Sequence, residues 1–201
     1  MLIKVCGITQ EEQLKELDKI ESIQCIGTIY YPKSKRFVRE QLPTTFLSHK
    51  VGVFVNEELE TIEKISREQD LQLIQLHGSE SPELCAKLSR NFGVLKAFGI
   101  NSTFDFDQLV PYQKHVDFFL FDTFTPQHGG SGKKFDWELL NNYQLETPFF
   151  LSGGIQLSDA STLKKITHPK FYGVDINSGF EISPGIKNIE LIKQFIDELY
   201  N

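Results

Sequence analysis

Eight short apolar runs rich in Val, Ile and Phe recur along this 201-residue chain, at 2–6, 24–29, 50–55, 72–76, 94–98, 117–122, 148–152 and 172–176. They are nearly unbroken rather than alternating, the pattern of parallel strands buried on both faces. Each is followed by a polar or glycine-containing stretch and then, in most cases, by an amphipathic segment. Parallel neighbours need a crossover between them, so the chain reads as repeated βα units. An open doubly wound sheet shows the same alternation, but eight runs favour closure into a (β/α)8 TIM barrel. No composition shift, low-complexity tract or Gly/Ser linker divides the chain, and 1–201 is expected to be a single domain.

Helix starts are expected after most strands. Thr9 and Glu12 stand three apart as a capping box ahead of Leu14, Leu17 and Ile20. Asn56 is placed to cap a helix carrying Leu59, Ile62 and Ile65, and Ser81 before Pro82 and Ser158 before Asp159 repeat the chemistry of a cap and first turn. Over 187–200, Ile189, Ile192, Phe195, Ile196 and Leu199 form one helical stripe that should close the outer ring. Between the fifth and sixth strands, 99–116 contains Pro111 and a weak helical period, so the ring is expected to be incomplete there.

A chain that is 40% hydrophobic and 24% charged can bury a core without metal or disulfide support. Its net charge of −6 gives no basic footprint, which argues against nucleic acid as a partner while leaving room for a small phosphorylated ligand held by local amides and cations. Cys6, Cys25 and Cys85 are odd in number and widely spaced, suggesting neither a disulfide framework nor a thiolate metal site; a reducing cytoplasm fits them. The five histidines lack paired zinc-ligand spacing, and no metal is expected. The opening run Met1–Gly7 is broken too soon for a signal peptide or a membrane span.

In a parallel barrel the loops after the strands gather at one face, and polar residues collect there. Strand one ends at Cys6-Gly7, strand four at His77-Gly78, strand six at Asp122 and strand seven at Ser152-Gly153-Gly154. Strand eight runs through Asp175 to Asn177-Ser178-Gly179, and the loop after strand two holds Lys33, Lys35 and Arg36. The two glycine-containing turns can present bare backbone N–H groups to a phosphate. Arg36 can donate two parallel N–H bonds to a planar carboxylate, whereas Lys33 and Lys35 read as solvated. Cys25 and Cys85 read as core residues, and His77 fits a pocket lining and a turn equally well. The run Gly129-Gly130-Ser131-Gly132-Lys133 is not a nucleotide loop, which would need glycine at 127, where Gln127 stands, and Ser or Thr at 134, where Lys134 stands.

Lys4-Val5-Cys6-Gly7-Ile8-Thr9, Tyr31-Pro32-Lys33-Ser34-Lys35-Arg36, Gln75-Leu76-His77-Gly78 and Gly129 to Lys133 occur in order. Phe135-Asp136-Trp137, Leu151 to Ile155 and Gly173 to Glu181, with Pro184-Gly185 after them, extend the set almost to the C-terminus. These blocks resemble those of the phosphoribosylanthranilate isomerase family. The resemblance implies an Amadori rearrangement in tryptophan biosynthesis with Cys6 as general base and Asp122 as general acid. It further implies Arg36, His77, Gly153, Gly154, Asp175, Asn177 and Ser178 as substrate contacts, no cofactor, a phosphorylated aminosugar as the small-molecule partner, and a monomer or homodimer. It also implies a substrate-covering flap at 129–133. Two departures stand out: Asn177 replaces a usual serine, and Phe124 replaces a frequent lysine beside Asp122. Cys and Asp ordinarily titrate near ~8.5 and ~3.9, so these roles ask the surroundings to favour a thiolate at one position and a neutral acid at the other. Another phosphosugar isomerase or epimerase on the same barrel, or a non-catalytic phosphate-ligand binder, would share the phosphate turns. The related aminoaldose isomerisation of histidine biosynthesis would normally bring a carboxylate at the end of strand one, where this chain has Cys6, and binding alone would need neither Cys6 nor Asp122.

Overall fold

A computed structural model describes residues 1–38, 47–124 and 134–201. Eight parallel strands close into a barrel in chain order: β1 Leu2–Cys6, β2 Ile23–Ile29, β3 His49–Phe54, β4 Leu73–Leu76, β5 Gly93–Ile100, β6 Phe118–Thr123, β7 Phe149–Leu151 and β8 Phe171–Ile176. Every strand lies on a run marked by the sequence, with ends that agree to within two residues. Closure is made by β1 against β8, where Lys4 stands opposite Asp175.

Helices α1 Glu11–Leu17, α2 Leu59–Glu68, α3 Pro82–Leu88, α4 Ala160–Leu163 and α5 Ile189–Tyr200 lie between or after the strands. Between β5 and β6 the expected gap in the ring is filled by a 3-10 segment, Phe106–Tyr112. Phe106 there packs edge-on against Phe121 and Tyr143, with centroids 5.6 and 5.7 Å away, and covers the strands that a full helix would otherwise cover. The stripe on α5 is buried as expected, and Phe195 meets Phe180 at 4.9 Å. A two-stranded hairpin, β9 Glu181–Ser183 and β10 Ile186–Lys187, precedes α5.

Three expected helix caps are not made: for Thr9 and Asn56 a contact distant in sequence takes the side chain, and near Ser158 a local one displaces it. Thr9 donates its hydroxyl to Gly185 O at 3.0 Å, and α1 starts at Glu11 behind Gln10. Asn56 adopts φ +50 and accepts from Ser79 N with its side chain, so α2 starts only at Leu59 behind Glu58. Near Ser158 the carboxylate of Asp159 accepts from Gln156 N at 2.7 Å, and Gln156 rather than Ser158 heads the turn. The fourth, Ser81, caps α3 by accepting from Leu84 N, with Pro82 in the first turn.

Two cores result. Most apolar side chains fill the space between strands and outer ring, while Leu95, Ala97, Leu120 and Phe150, with Leu2 and Phe118 against them, plug the lower lumen. This plug leaves only the C-terminal end of the lumen open to polar chemistry. No helix among the described residues is long and apolar enough to cross a membrane.

Candidate active site

Side chains alternate along a strand, so each strand that plugs the lumen also delivers a polar residue above the plug. On β6, Phe118 and Leu120 lie in the plug and Asp122 follows them; on β7, Phe150 is followed by Ser152. On β1, Leu2 contacts the plug, Lys4 is buried above it and Cys6 ends the strand. The result is a cavity of about 460 Å³ at the C-terminal end of the barrel, lined by Cys6, Arg36, His77, Asp122, Gly153, Gly154, Asp175, Asn177 and Ser178. All the residues nominated from the sequence therefore converge on one chamber. Lys33 and Lys35 border it but are solvent-exposed, and Cys25 and Cys85 are buried elsewhere as free thiols.

Cys6 is almost wholly buried, at 3% exposure. Burial pushes its thiol up, while the ammonium of Lys4 and, more weakly, that of Lys187 pull it back toward the thiolate. Lys4 was not singled out from the sequence. It is fully buried, and its Nζ donates to Asp175 Oδ1 at 2.8 Å. Burial alone would lower Lys4, but Asp175 and Cys6 overcome this and hold it above its ordinary value. Burial raises Asp175 in turn, against the attraction of Lys4. The signal in the sequence was a lysine inside an apolar strand, two residues before the cysteine and hence on the same face.

Asp122 accepts from its neighbour Thr123 N with Oδ1 at 2.7 Å, leaving Oδ2 toward His77, whose Nε2 is 3.3 Å away. The Gln75 amide nitrogen lies 2.7 Å from His77 Nδ1, which holds the ring with Nε2 toward Asp122. A second chamber of about 430 Å³, walled in part by Phe98, Phe104 and Phe124, opens on the other side of the same pair. Phe124 is half-exposed and brings no charge to Asp122, so the nitrogen base beside the carboxyl is His77 instead of a lysine.

The loops after β7 and β8 form the opposite wall. Gly153 and Gly154 adopt φ of +93 and +68, and among the described residues their N–H groups meet no acceptor. A Cβ at Gly153 would lie 2.4 Å from Thr123 Oγ1 and 2.8 Å from Asp122 Oδ1, so only glycine fits beside the acidic residue. Asn177 and Ser178 head the neighbouring turn, Ser178–Phe180. The Asn177 carboxamide oxygen accepts from Lys187 Nζ at 2.7 Å, which turns this departure from the serine pattern into a link to the hairpin.

Arg36 stands differently from the sequence expectation. Its fork is already engaged: Nε and Nη2 donate to the two oxygens of Glu181 at 2.8 and 2.6 Å. Glu181 also accepts from Lys187 Nζ at 2.7 Å and from Gly185 N at 3.0 Å. Burial alone would raise Glu181, but Arg36 and Lys187 hold its carboxyl down to about 2. Two of the five guanidinium N–H bonds are thus spent on fixing the side chain, and a ligand carboxylate would meet the remaining edge. Glu181 and Lys187 were not nominated from the sequence, because nothing local to residue 36 marks a partner 145 positions away. The glycine run 129–133 lies outside the described residues.

The family model described as N-(5'phosphoribosyl)anthranilate (PRA) isomerase matches residues 3–198. An N-(5'-phosphoribosyl)anthranilate isomerase of Parabacteroides distasonis is 44% identical, covering 99% of this chain and 93% of that one. A crystal structure of monomers generated from the dimeric phosphoribosylanthranilate isomerase of Thermotoga maritima superposes with a TM-score of 0.83 at 31% identity, over 99% of this chain and 98% of that one. A further isomerase structure, in complex with reduced 1-(o-carboxyphenylamino)-1-deoxyribulose 5-phosphate, gives 0.79 at 31% identity over 99% and 98%. The match runs through the barrel and all the loops that build the chamber, and the chain belongs to the N-(5'-phosphoribosyl)anthranilate isomerase family.

Proposed function

We propose that this chain converts N-(5'-phosphoribosyl)anthranilate to 1-(o-carboxyphenylamino)-1-deoxyribulose 5-phosphate, with Cys6 as base and Asp122 as acid. The observation that carries the reading is the convergence of Cys6, Asp122 and both glycine turns on one chamber in a chain of this family. The substrate phosphate sits against the free N–H groups of Gly153 and Gly154 and the Asn177–Ser178 turn. The anthranilate carboxylate meets the open edge of Arg36.

Asp122, as general acid, passes a proton to the furanose ring oxygen; the C1–O bond breaks and a protonated imine forms between C1 and nitrogen. His77 Nε2, facing Oδ2, then stabilises the resulting carboxylate. The Cys6 thiolate removes the C2 proton, and the electron pair moves into the C1–C2 bond and neutralises the imine. The enolamine ketonises, C1 gaining a proton as the C2 hydroxyl gives one up, and becomes the aminoketose; net proton exchange then returns Cys6 to the thiolate and Asp122 to the acid. The protonated imine is itself the electron sink, so the sequence of steps calls for no cofactor. Asp175, already paired with Lys4, lines the floor on which the sugar hydroxyls lie. The three free cysteines support a reducing cytoplasm as the compartment, and the dimeric relative supports a monomer or homodimer as the assembly.

Purified protein supplied with freshly generated phosphoribosylanthranilate, with no cofactor or metal added, should abolish the fluorescence of the anthranilate group at an enzyme-dependent rate. Folded protein without turnover would refute the reading.

A further inference from the structure

Behind the chamber wall, paired with the Asp175 that lines it, lies a buried cation that no step above uses. Lys4 and Cys6 lie two apart on β1 and project to the same side of the strand, and across from them on β2 Cys6 is in register with Gly27. A Cβ at Gly27 would fall 2.8 Å from Cys6 Sγ and 3.2 Å from Lys4 Nζ. The sulfur and the ammonium therefore meet over the one β2 residue that has no side chain to separate them. Lys4 spends one of its three N–H bonds on Asp175 at 2.8 Å, which fixes the ammonium beside Cys6 and leaves donors for a second anion. A fully buried lysine in a barrel lumen is costly to charge, and a single carboxylate partner leaves the Cys6 side of this one open to a negative sulfur.

We propose that Lys4 is a positioning residue that supplies the counter-charge to the Cys6 thiolate, with Asp175 anchoring it and Gly27 permitting the approach. The proposal rests on the reading of Cys6 as the base. When Cys6 takes the C2 proton it becomes neutral, and Lys4 returns to Asp175 as its sole anion. The ammonium so favours the ionised base before proton transfer and still has a partner after it, without exchanging a proton itself.

The test is the pH dependence of Cys6 alkylation by iodoacetamide, followed by peptide mass spectrometry and normalised to the limiting rate at high pH, in the full chain. Lys4→Met should move the midpoint up by at least one pH unit, slowing alkylation below the midpoint at least ~10-fold. Its kcat should fall with product-analogue affinity retained, and Lys4→Arg should restore most of both. Gly27→Ala keeps both groups but interposes a methyl, and it should move the midpoint in the same direction; it decides the matter if Lys4→Met does not fold. An unmoved midpoint in folded Lys4→Met, or in Gly27→Ala when that is the folded variant, would make Lys4 a structural residue only and overturn the proposal. Wild-type protein that alkylates as described but fails to isomerise phosphoribosylanthranilate would sink the isomerase reading and leave the Lys4–Cys6 coupling standing.

Discussion

Replacing Glu181 by Gln tests the network that holds Arg36 in the chamber. The carboxylate is 5% exposed and bonds Arg36, which is 16% exposed, and Lys187, which is wholly buried. Its carboxyl lies at about 2, against an ordinary value of 4.5. That depression of roughly 2.5 pH units is worth about 3.4 kcal/mol at neutral pH, at about 1.36 kcal/mol per unit. Because the folded value lies below the unfolded one, the stabilisation is complete above about pH 5 and is lost as pH falls toward 2. At pH 3 about 1.4 kcal/mol of it should remain. Glutamine keeps the shape but is neutral at every pH, and it leaves Lys187 without an anionic partner. Urea unfolding of both proteins at pH 7, 5 and 3 should therefore show a gap of about 3 kcal/mol that narrows by about 2 kcal/mol at the lowest pH. The Michaelis constant should rise in the variant as the guanidinium loses its anchor. A gap that stays constant from pH 7 to 3, or no gap at all, would refute this account of the Arg36–Glu181–Lys187 cluster.

Two further substitutions probe the phosphate wall and the helix packed behind it. Gly153→Ala places a methyl 2.4 Å from Thr123 Oγ1 at φ +93, so inorganic phosphate and product analogues should bind at least ~10-fold more weakly while the far-ultraviolet circular dichroism stays native; unchanged affinity would remove this turn from the phosphate site. Phe195→Ala removes the buried ring that meets Phe180 at 4.9 Å, next to the Ser178 turn, and should cost about 3–5 kcal/mol in urea unfolding; a cost under about 1 kcal/mol would mean that α5 does not seal the outer ring.

The strands were legible because each is buried on both faces and so carries its signature in its own composition. The Ser81 cap was legible for the same reason, since everything that makes it lies within four residues. Thr9 and Asn56 carried the same local signal and lost it to tertiary partners, most visibly Thr9, whose hydroxyl is taken by a carbonyl 176 residues away, while Ser158 lost it to the local bond from Gln156 N to Asp159. Among the site residues, Cys6 and Asp122 could be placed because the strand ends of a barrel share one face. The charges that condition them could not be placed. Lys4, Glu181 and Lys187 act through pairs set by strand register and by the hairpin fold, and only Lys4 left a trace in the sequence, as a charge in a strand that is otherwise apolar. Arg36 shows the limit from the other side: its fork was read toward a ligand carboxylate, while two of its N–H bonds are given to Glu181 of the protein itself, a partner with no local signal.

The central claim, that Cys6 and Asp122 divide the proton transfers between them, is tested most directly by single-turnover kinetics of Asp122→Asn and Cys6→Ser on freshly generated phosphoribosylanthranilate, with product-analogue affinity measured alongside. Each variant should lose roughly 10²- to 10⁴-fold or more in rate while binding the analogue within a few-fold of wild type. Asp122→Asn should still process an analogue supplied in the open imine form, which needs only Cys6. Near-normal turnover of the closed-ring substrate by Asp122→Asn, or by Cys6→Ser, would contradict the account and move the acid or the base to another group in the chamber.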